Sequence, residues 1–350
     1  MFPRYNAMNE KLISFAIPSY NSEAYMRKCI ESILPGGEDV EIIIVNDGSK
    51  DGTGAIADEY AEKYPTVCKA VHQENGGHGE GVNQGIRRAS GLYYKVVDSD
   101  DWVDSDVLLK VLDVIKKHKE AGTLPDLYVT NFIYDRVYDN SSFTRRYVKN
   151  MPTDEFFGWE KVKPFHTSSV LLMHSLMYKT SVLRDCGLEL PKHTFYVDNI
   201  FAYIPLPYVK TMYYMDVNLY HYFIGRADQS VNVSSFAKRT DQQNRVMRIM
   251  AEAYDLREMK KTNKQLAKYL LHALACLMIV TITFTVAVPS KEKYAALKEL
   301  WQAIKAKDKW LYGKLKYRSY PAVYTFLPRP IGRAAVLSGY KSMRKKVKLG

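Results

Sequence analysis

The chain has 350 residues, 47% of them hydrophobic and 25% charged, which excludes a mainly disordered polypeptide and suits one large domain or two. The net charge of +12 is uneven: residues 291–350 hold 16 Lys and Arg against 3 Asp and Glu, and the remainder is near neutral, so the body as a whole is no basic nucleic-acid binder. Four cysteines, Cys29, Cys68, Cys186 and Cys276, form no CxxC pair, which argues against a zinc ribbon or redox dithiol and predicts buried thiols in a reducing compartment.

In chain order, the apolar run 12–17 (LISFAI) predicts a buried strand ending at Pro18. It is too short for a secretory leader, so a cytoplasmic location is the expectation. Asn21 and Ser22 are cap residues for a helix through Tyr25, Met26, Cys29, Ile30 and Ile33, which Pro35-Gly36-Gly37 ends. Residues 40–45 (VEIIIV) predict a second strand, too apolar for an exposed edge. A helix from Asp51 or Thr53, a short strand at 69–72, a helix at 79–89 and a strand at 92–97 follow. This βαβαβαβ order predicts an α/β fold with a parallel, doubly wound sheet. Beyond it, strands are expected at 126–133 and 172–178 and a helix at 180–186. Residues 252–268 read as polar helix running on into 22 uncharged residues, 269–290. That stretch is long enough to span a bilayer, but His272, three Thr and the polar helix before it favour a buried or interfacial helix.

Ligands of doubly wound sheets sit beyond the carboxyl ends of the strands. Here those ends carry Ser19-Tyr20-Asn21, Asn46-Asp47-Gly48, Asn75-Gly76-Gly77 and Asp98-Ser99-Asp100-Asp101. Four polar strand ends in succession mark a site. Clustered carboxylates repel unless a cation neutralises them, and carboxylate with substrate phosphate suits Mg²⁺ or Mn²⁺. The glycine run fits neither G-x-G-x-x-G nor G-x-x-x-x-G-K-[ST], which argues against Rossmann cofactor and Walker-type sites.

The strings SFAIPSYNSEAYMRKCIESI, EIIIVNDGSKDGT and QENGGHGEGVNQGIRRASGLYYKVVDSDDWV, in this order and spacing, closely resemble family 2 glycosyltransferases over about residues 11–105. The resemblance implies a GT-A fold, with a glycosyltransferase domain over 1–240 (nucleotide-sugar half 11–105, acceptor half 106–240). A helical region with a basic tail follows over 241–350. It also implies metal-dependent transfer from a nucleoside-diphosphate sugar, a UDP-sugar by preference, with inversion, to a glycan, teichoic-acid-like or lipid-linked acceptor. The sugar moved would be a hexosyl or N-acetylhexosaminyl group.

Carried over residue by residue, Pro18, Ser19, Tyr20 and Asn21 line the nucleoside, and Asp47 accepts from the uracil imide. Asn75, Gly76, Gly77 and Asn83 belong to the glycine loop and the helix after it, and Ser99 joins the donor-binding set. Asp98 and Asp100 match the metal and ribose carboxylates, with Asp100 the direct ligand of Mn²⁺ or Mg²⁺. An inverting transfer needs a base, and Asp198 keeps the matching position although Val197 replaces the usual Glu. Asp216 is a weaker alternative. Arg226, Gln229 and Ser230 match a segment that closes over the diphosphate. His166, His174 and His221 are expected to be structural. Phe156, Phe157, Trp159, Phe195 and Tyr196 are weighed as an aromatic acceptor groove.

The basic, aromatic tail over 291–350 fits peripheral binding to an anionic inner membrane leaflet, with a homo-oligomer contact as the alternative. No RNA- or DNA-binding motif accompanies it, so nucleic acid is not an expected partner. The alternative function is a catalytically inactive nucleotide-sugar-binding subunit of a polysaccharide assembly system. The intact set Asp47, Asp98, Asp100 and Asp198 argues against it.

Overall fold

The computed structural model describes residues 10–136, 141–167, 169–224 and 238–346, without the side chains of 343–346. Its described strands are β1 (Ile13–Ser19), β2 (Val40–Asp47), β3 (Cys68–Gln73), β4 (Tyr93–Val96), β5 (Trp102–Val103), β6 (Leu127–Arg136), β7 (Ser142–Arg145), β8 (Phe156–Phe157), β9 (Leu176–Lys179) and β10 (Met212–Ile224). They form one sheet in the order β3-β2-β1-β4-β9-β6-β10-β5, with β7 on β6 and β8 on β10. The β3-β2-β1-β4 half is parallel, as expected. Beyond it β9 runs antiparallel between β4 and β6, so the whole sheet is mixed. The long strand β10 is parallel to β6, and the sequence reading did not find it.

Period-two alternation explains the burial. Ile13, Phe15, Ile17, Ile42 and Ile44 enter the apolar layer on one face, packed by helices α1 (Met26–Ile33), α2 (Thr53–Lys63) and α4 (Ser105–Glu120). Ala16, Ile43 and Val45 enter the other, which holds α3 (His78–Arg88), α5 (Thr180–Asp185) and α6 (Asp198–Tyr203). A Cβ on Gly85 would lie 2.5 Å from the Ala16 Cβ, so glycine lets α3 lie directly on β1.

Several boundaries move. Pro18 sits inside β1 opposite Val45 and does not end it. Asn21 and Ser22 do not cap α1, which begins at Met26 without a side-chain cap. Residues 172–178 split into a tight turn, Met173–Ser175, and β9.

The C-terminal region is helical, as expected: α7 (Thr240–Glu252), α8 (Leu256–Thr262), α9 (Lys264–Ala287), α10 (Lys291–Lys307), α11 (Lys309–Tyr317), α12 (Ala322–Phe326) and α13 (Arg329–Lys346). The polar helix α8 and the apolar α9 are not continuous. Asn263 breaks them, and its Oδ1 accepts from the Leu266 amide to start α9. Helix α9 is the one described helix long and apolar enough to cross a membrane, yet much of it, including Leu270, Leu274, Met278 and Ile282, is buried in the same core as the sheet. All four cysteines are free; Cys29 and Cys68 are buried, but Cys186 and Cys276 are only half-buried.

Candidate active site

The expected strand ends do converge. Ser22 Oγ lies 2.7 Å from Ser99 Oγ, tying the loop after β1 to the loop after β4. Asn21, at positive φ, accepts from the Lys50 amide and donates its own amide to Ser49 Oγ, tying the loops after β1 and β2. Ser19 ends β1 one residue after Pro18, and Tyr20, the next residue, is half exposed.

Asp47 is buried and bonded within its own neighbourhood. Its Oδ1 accepts from the Gly76 amide at 2.7 Å and Gln73 Nε2 at 2.6 Å, and its Oδ2 from the Gly77 amide at 2.8 Å. Gly77 has φ +82, and a Cβ there would meet the His193 backbone at 3.0 Å. Asn75 donates to the Asp47 carbonyl. Asn83, expected in the donor site, bonds the segment before α6. It is buried, donates to Glu189 and the Leu190 carbonyl and accepts from the Leu190 amide, so its amide staples α3 to the 189–190 segment.

The Asp98–Asp101 turn is closed by the Asp101 amide donating to the Asp98 carbonyl. Asp100 is half-buried in the same turn. His78 Nε2 lies 2.8 Å from Asp98 Oδ1. Burial pushes the Asp98 carboxyl up, but the His78 charge and hydrogen bond outweigh it and hold Asp98 below its ordinary value. His78 is raised in turn: burial opposes its charge, and Asp98 more than offsets that. Asp101 is almost fully buried. Its oxygens accept from Tyr220 Oη at 2.5 Å and the Phe223 amide at 2.8 Å. Burial, then repulsion from Asp100 and Asp98, raises its carboxyl well above the ordinary range.

Asp198 opens α6 half-buried, with Asn199 Nδ2 donating to its Oδ1 at 3.2 Å. Burial, opposed by His78 and reinforced by Asp98, pushes its carboxyl up to about 6.

Asp98, Asp101 and His174 each offer one ligand atom, and these atoms all lie within 4.8 Å of one another. His174 is buried, and its Nδ1 has no hydrogen-bond partner. A buried imidazole with a ligand atom this close to two carboxylates fits a divalent cation with mixed oxygen and nitrogen ligands. Beneath it, Lys95 is fully buried; its Nζ donates to the His174 carbonyl at 2.6 Å and lies 5.2 Å from the Tyr220 ring centre.

His78, His174, Asp101, Tyr220 and Lys95 were not read from the sequence as site residues. Only the Gly-Gly-His string and the fourth position of DSDD hinted at two of them. His221 is occupied by Asp135 at 2.6 Å and stacks on Trp102. Asp216 is taken by Arg146, Asn131 and Tyr214. The aromatic residues do not form one groove. Trp159 is buried and donates to the Val209 carbonyl, Phe157 is buried, Phe156 packs on His118 and Tyr213, and Phe195 lies under Arg239. Arg226, Gln229 and Ser230 lie outside the described residues.

Residues 14–179 match the model of the family described as Glycosyl transferase family 2. The Bacillus subtilis protein EpsH is 30% identical over 230 residues, 62% of each chain. GlyA of Streptococcus pneumoniae is 33% identical over 144 residues, 37% of this chain and 20% of that protein. The B. subtilis minor teichoic acid biosynthesis protein GgaB is 37% identical over 119 residues, 32% and 13% respectively. The chain thus spans less than two thirds of each of these relatives. In fold, it resembles S. aureus TarS 1–349 in complex with UDP-GlcNAc, with TM-score 0.65 and 17% identity over 96% of this chain and 91% of that one. The ordered motifs at the strand ends, the mixed sheet with its helical C-terminal region and these likenesses agree: residues 14–179 are a family 2 glycosyltransferase segment, and the chain has a GT-A fold.

Proposed function

We propose that the protein is a metal-dependent inverting glycosyltransferase that moves a hexosyl or N-acetylhexosaminyl group from a UDP-sugar to a carbohydrate or lipid-linked acceptor of the cell envelope. The observation that carries this reading is the acidic turn at the end of β4, where Asp98, Asp101 and His174 bring ligand atoms within 4.8 Å of one another and His78 Nε2 lies 2.8 Å from Asp98 Oδ1. The UDP-GlcNAc named with TarS supports the donor class, and the teichoic acid role named for GgaB supports the acceptor class.

In this reading the loops carrying Ser19, Tyr20, Asn21, Asn75 and Gly76 line the nucleoside, and Asp47 holds their register. Asp98, Asp101 and His174 would hold Mn²⁺ or Mg²⁺, with Asp100 in the same turn. The bound cation supplies neutralisation of the diphosphate charge. Asp198 accepts the proton of the acceptor hydroxyl as that oxygen bonds the anomeric carbon. The bond to the diphosphate breaks from the opposite face, its electron pair leaving on the phosphate oxygen. A base with a pKa near the working pH is suited to this transfer. His78, bonded to Asp98 and facing Asp198, limits how far the two carboxyls raise one another.

The basic, aromatic composition of residues 291–350 supports a location at the inner membrane surface. The test is turnover of UDP-sugars with and without Mn²⁺ or Mg²⁺, with the product anomer read by NMR. An α-linked donor giving a β-linked product is expected. Retention of configuration overturns the mechanism, and UDP binding without turnover across donors and acceptors overturns the enzyme.

A further inference from the structure

The turn between α12 and α13 is apolar and stands in solvent. Every residue from Phe326 to Ile331 (FLPRPI) is exposed, Phe326 at 68% and Ile331 at 56%. Val323, one helical turn before Phe326, adds a half-exposed aliphatic side chain on α12. The Phe326 ring centre lies 5.9 Å from that of the exposed Tyr317 at the end of α11. Single exposed apolar residues are ordinary, but a contiguous patch of them marks an interaction surface.

Packing holds this turn out. Gly332 sits against α12: a Cβ there would lie 3.3 Å from the Tyr324 carbonyl oxygen and 3.6 Å from the Leu327 Cβ. The Gly332 amide donates to the Pro328 carbonyl at 2.8 Å. Arg333 Nε donates to the Val286 carbonyl at 3.0 Å, which pins the start of α13 to the end of α9. Pro328 and Pro330 have no N–H, so the turn brings few unpaired backbone donors into an apolar environment, where each is costly. The charge around the patch has one sign. Residues 309–350 hold eleven Lys and Arg and no Asp or Glu. Arg318 and Arg329 are exposed, and Lys316 Nζ lies 5.8 Å from the centre of the Tyr317 ring that packs on Phe326. An anionic lipid surface complements both halves of this arrangement, with an apolar layer beneath negative headgroups.

We propose that the Phe326–Ile331 turn is a wedge that enters the headgroup–acyl boundary of an anionic bilayer, with Lys316, Arg318 and Arg329 on the lipid phosphates around it. The inference rests on the membrane location given above and deepens it by naming the element that inserts. Membrane contact falls to this turn and not to α9, whose Leu270, Leu274, Met278 and Ile282 belong to the core.

The test is flotation of the full chain with vesicles of phosphatidylglycerol and phosphatidylcholine in equal parts, and of phosphatidylcholine alone. Wild-type protein should float with the first and not with the second. Phe326→Ser combined with Ile331→Ser should weaken binding by about tenfold or more, as expected for withdrawing two large apolar side chains. Arg318→Gln combined with Arg329→Gln should weaken it by about thirtyfold, the effect of two cations near an anionic surface. Phe326→Trp reads insertion directly, since brominated acyl chains should quench its added fluorescence. Leu109 is exposed on α4, across the sheet from the C-terminal helices, so Leu109→Trp should show no added quenching. Wild-type protein that fails to float overturns the membrane location and the wedge with it. Wild-type protein that floats, with the Ser pair binding equally well or Phe326→Trp escaping quenching, overturns the wedge alone. A dimer in light scattering that the Ser pair dissolves while flotation stays intact assigns the patch to a second copy of the chain and also overturns the wedge.

Discussion

His78 Nε2 and Asp98 Oδ1 lie 2.8 Å apart, and this pair joins the start of α3 to the acidic turn after β4. His78 lowers the carboxyls of both Asp98 and Asp198. Replacing it with Gln keeps a hydrogen-bond donor but removes the charge. The acid limb of the kcat/KM profile of His78→Gln should therefore move to higher pH than in the wild type. An unmoved limb would mean that His78 does not face the reacting carboxyls.

Asp198 must be ionised to accept a proton. Its carboxyl is raised to about 6, so transfer should climb as pH rises through about 6 and level off above it. Asp198→Asn should lower kcat by about 10²–10⁴-fold, the usual range for a general base, while UDP binding is unchanged by calorimetry. Undiminished turnover would remove Asp198 from the reaction.

His174, Asp98 and Asp101 each bring a ligand atom to within 4.8 Å of the other two. His174→Ala and Asp101→Asn should each weaken Mn²⁺ by at least the roughly 10–100-fold that loss of an outer-shell partner costs, read by EPR titration without substrate. Asp100→Ala separates the alternatives: a larger loss there than in His174→Ala would make Asp100 the principal ligand.

Lys95 is fully buried, and burial lowers its pKa from 10.5 to about 7. Its unfolded form therefore binds more protons than its folded form between those values, and stability should rise with pH there. A single such group gives a slope of about 1.4 kcal/mol per pH unit at most. Lys95→Met removes this contribution, and the pH dependence of chemical denaturation should flatten from neutral to alkaline pH. An unchanged slope would show that Lys95 is neutral in both states or charged in both.

The first half of the sheet was legible because its strands are short apolar runs bounded by turn residues, and the polar strand ends followed from topology. The site was legible only where chemistry is local. DSDD announces itself, but which carboxyl turns inward depends on Tyr220 and the Phe223 amide, more than a hundred positions away. His174 carries no local signal, since its meaning comes from β9 lying between β4 and β6. Strand β10 mixes Tyr, Asn, Asp and His on a half-buried surface, so its alternation is blurred and it went unread.

The three bonds accepted by the Asp47 carboxylate fix the 73–77 turn in the protein alone. The entropy of ordering that turn is lost on folding, so a nucleotide docking there has little chain left to immobilise. Each carboxylate oxygen can accept more than one donor, so a ligand can add to this arrangement without dismantling it. Donor recognition on this side should then be fast and rigid, leaving adaptation to the acceptor side.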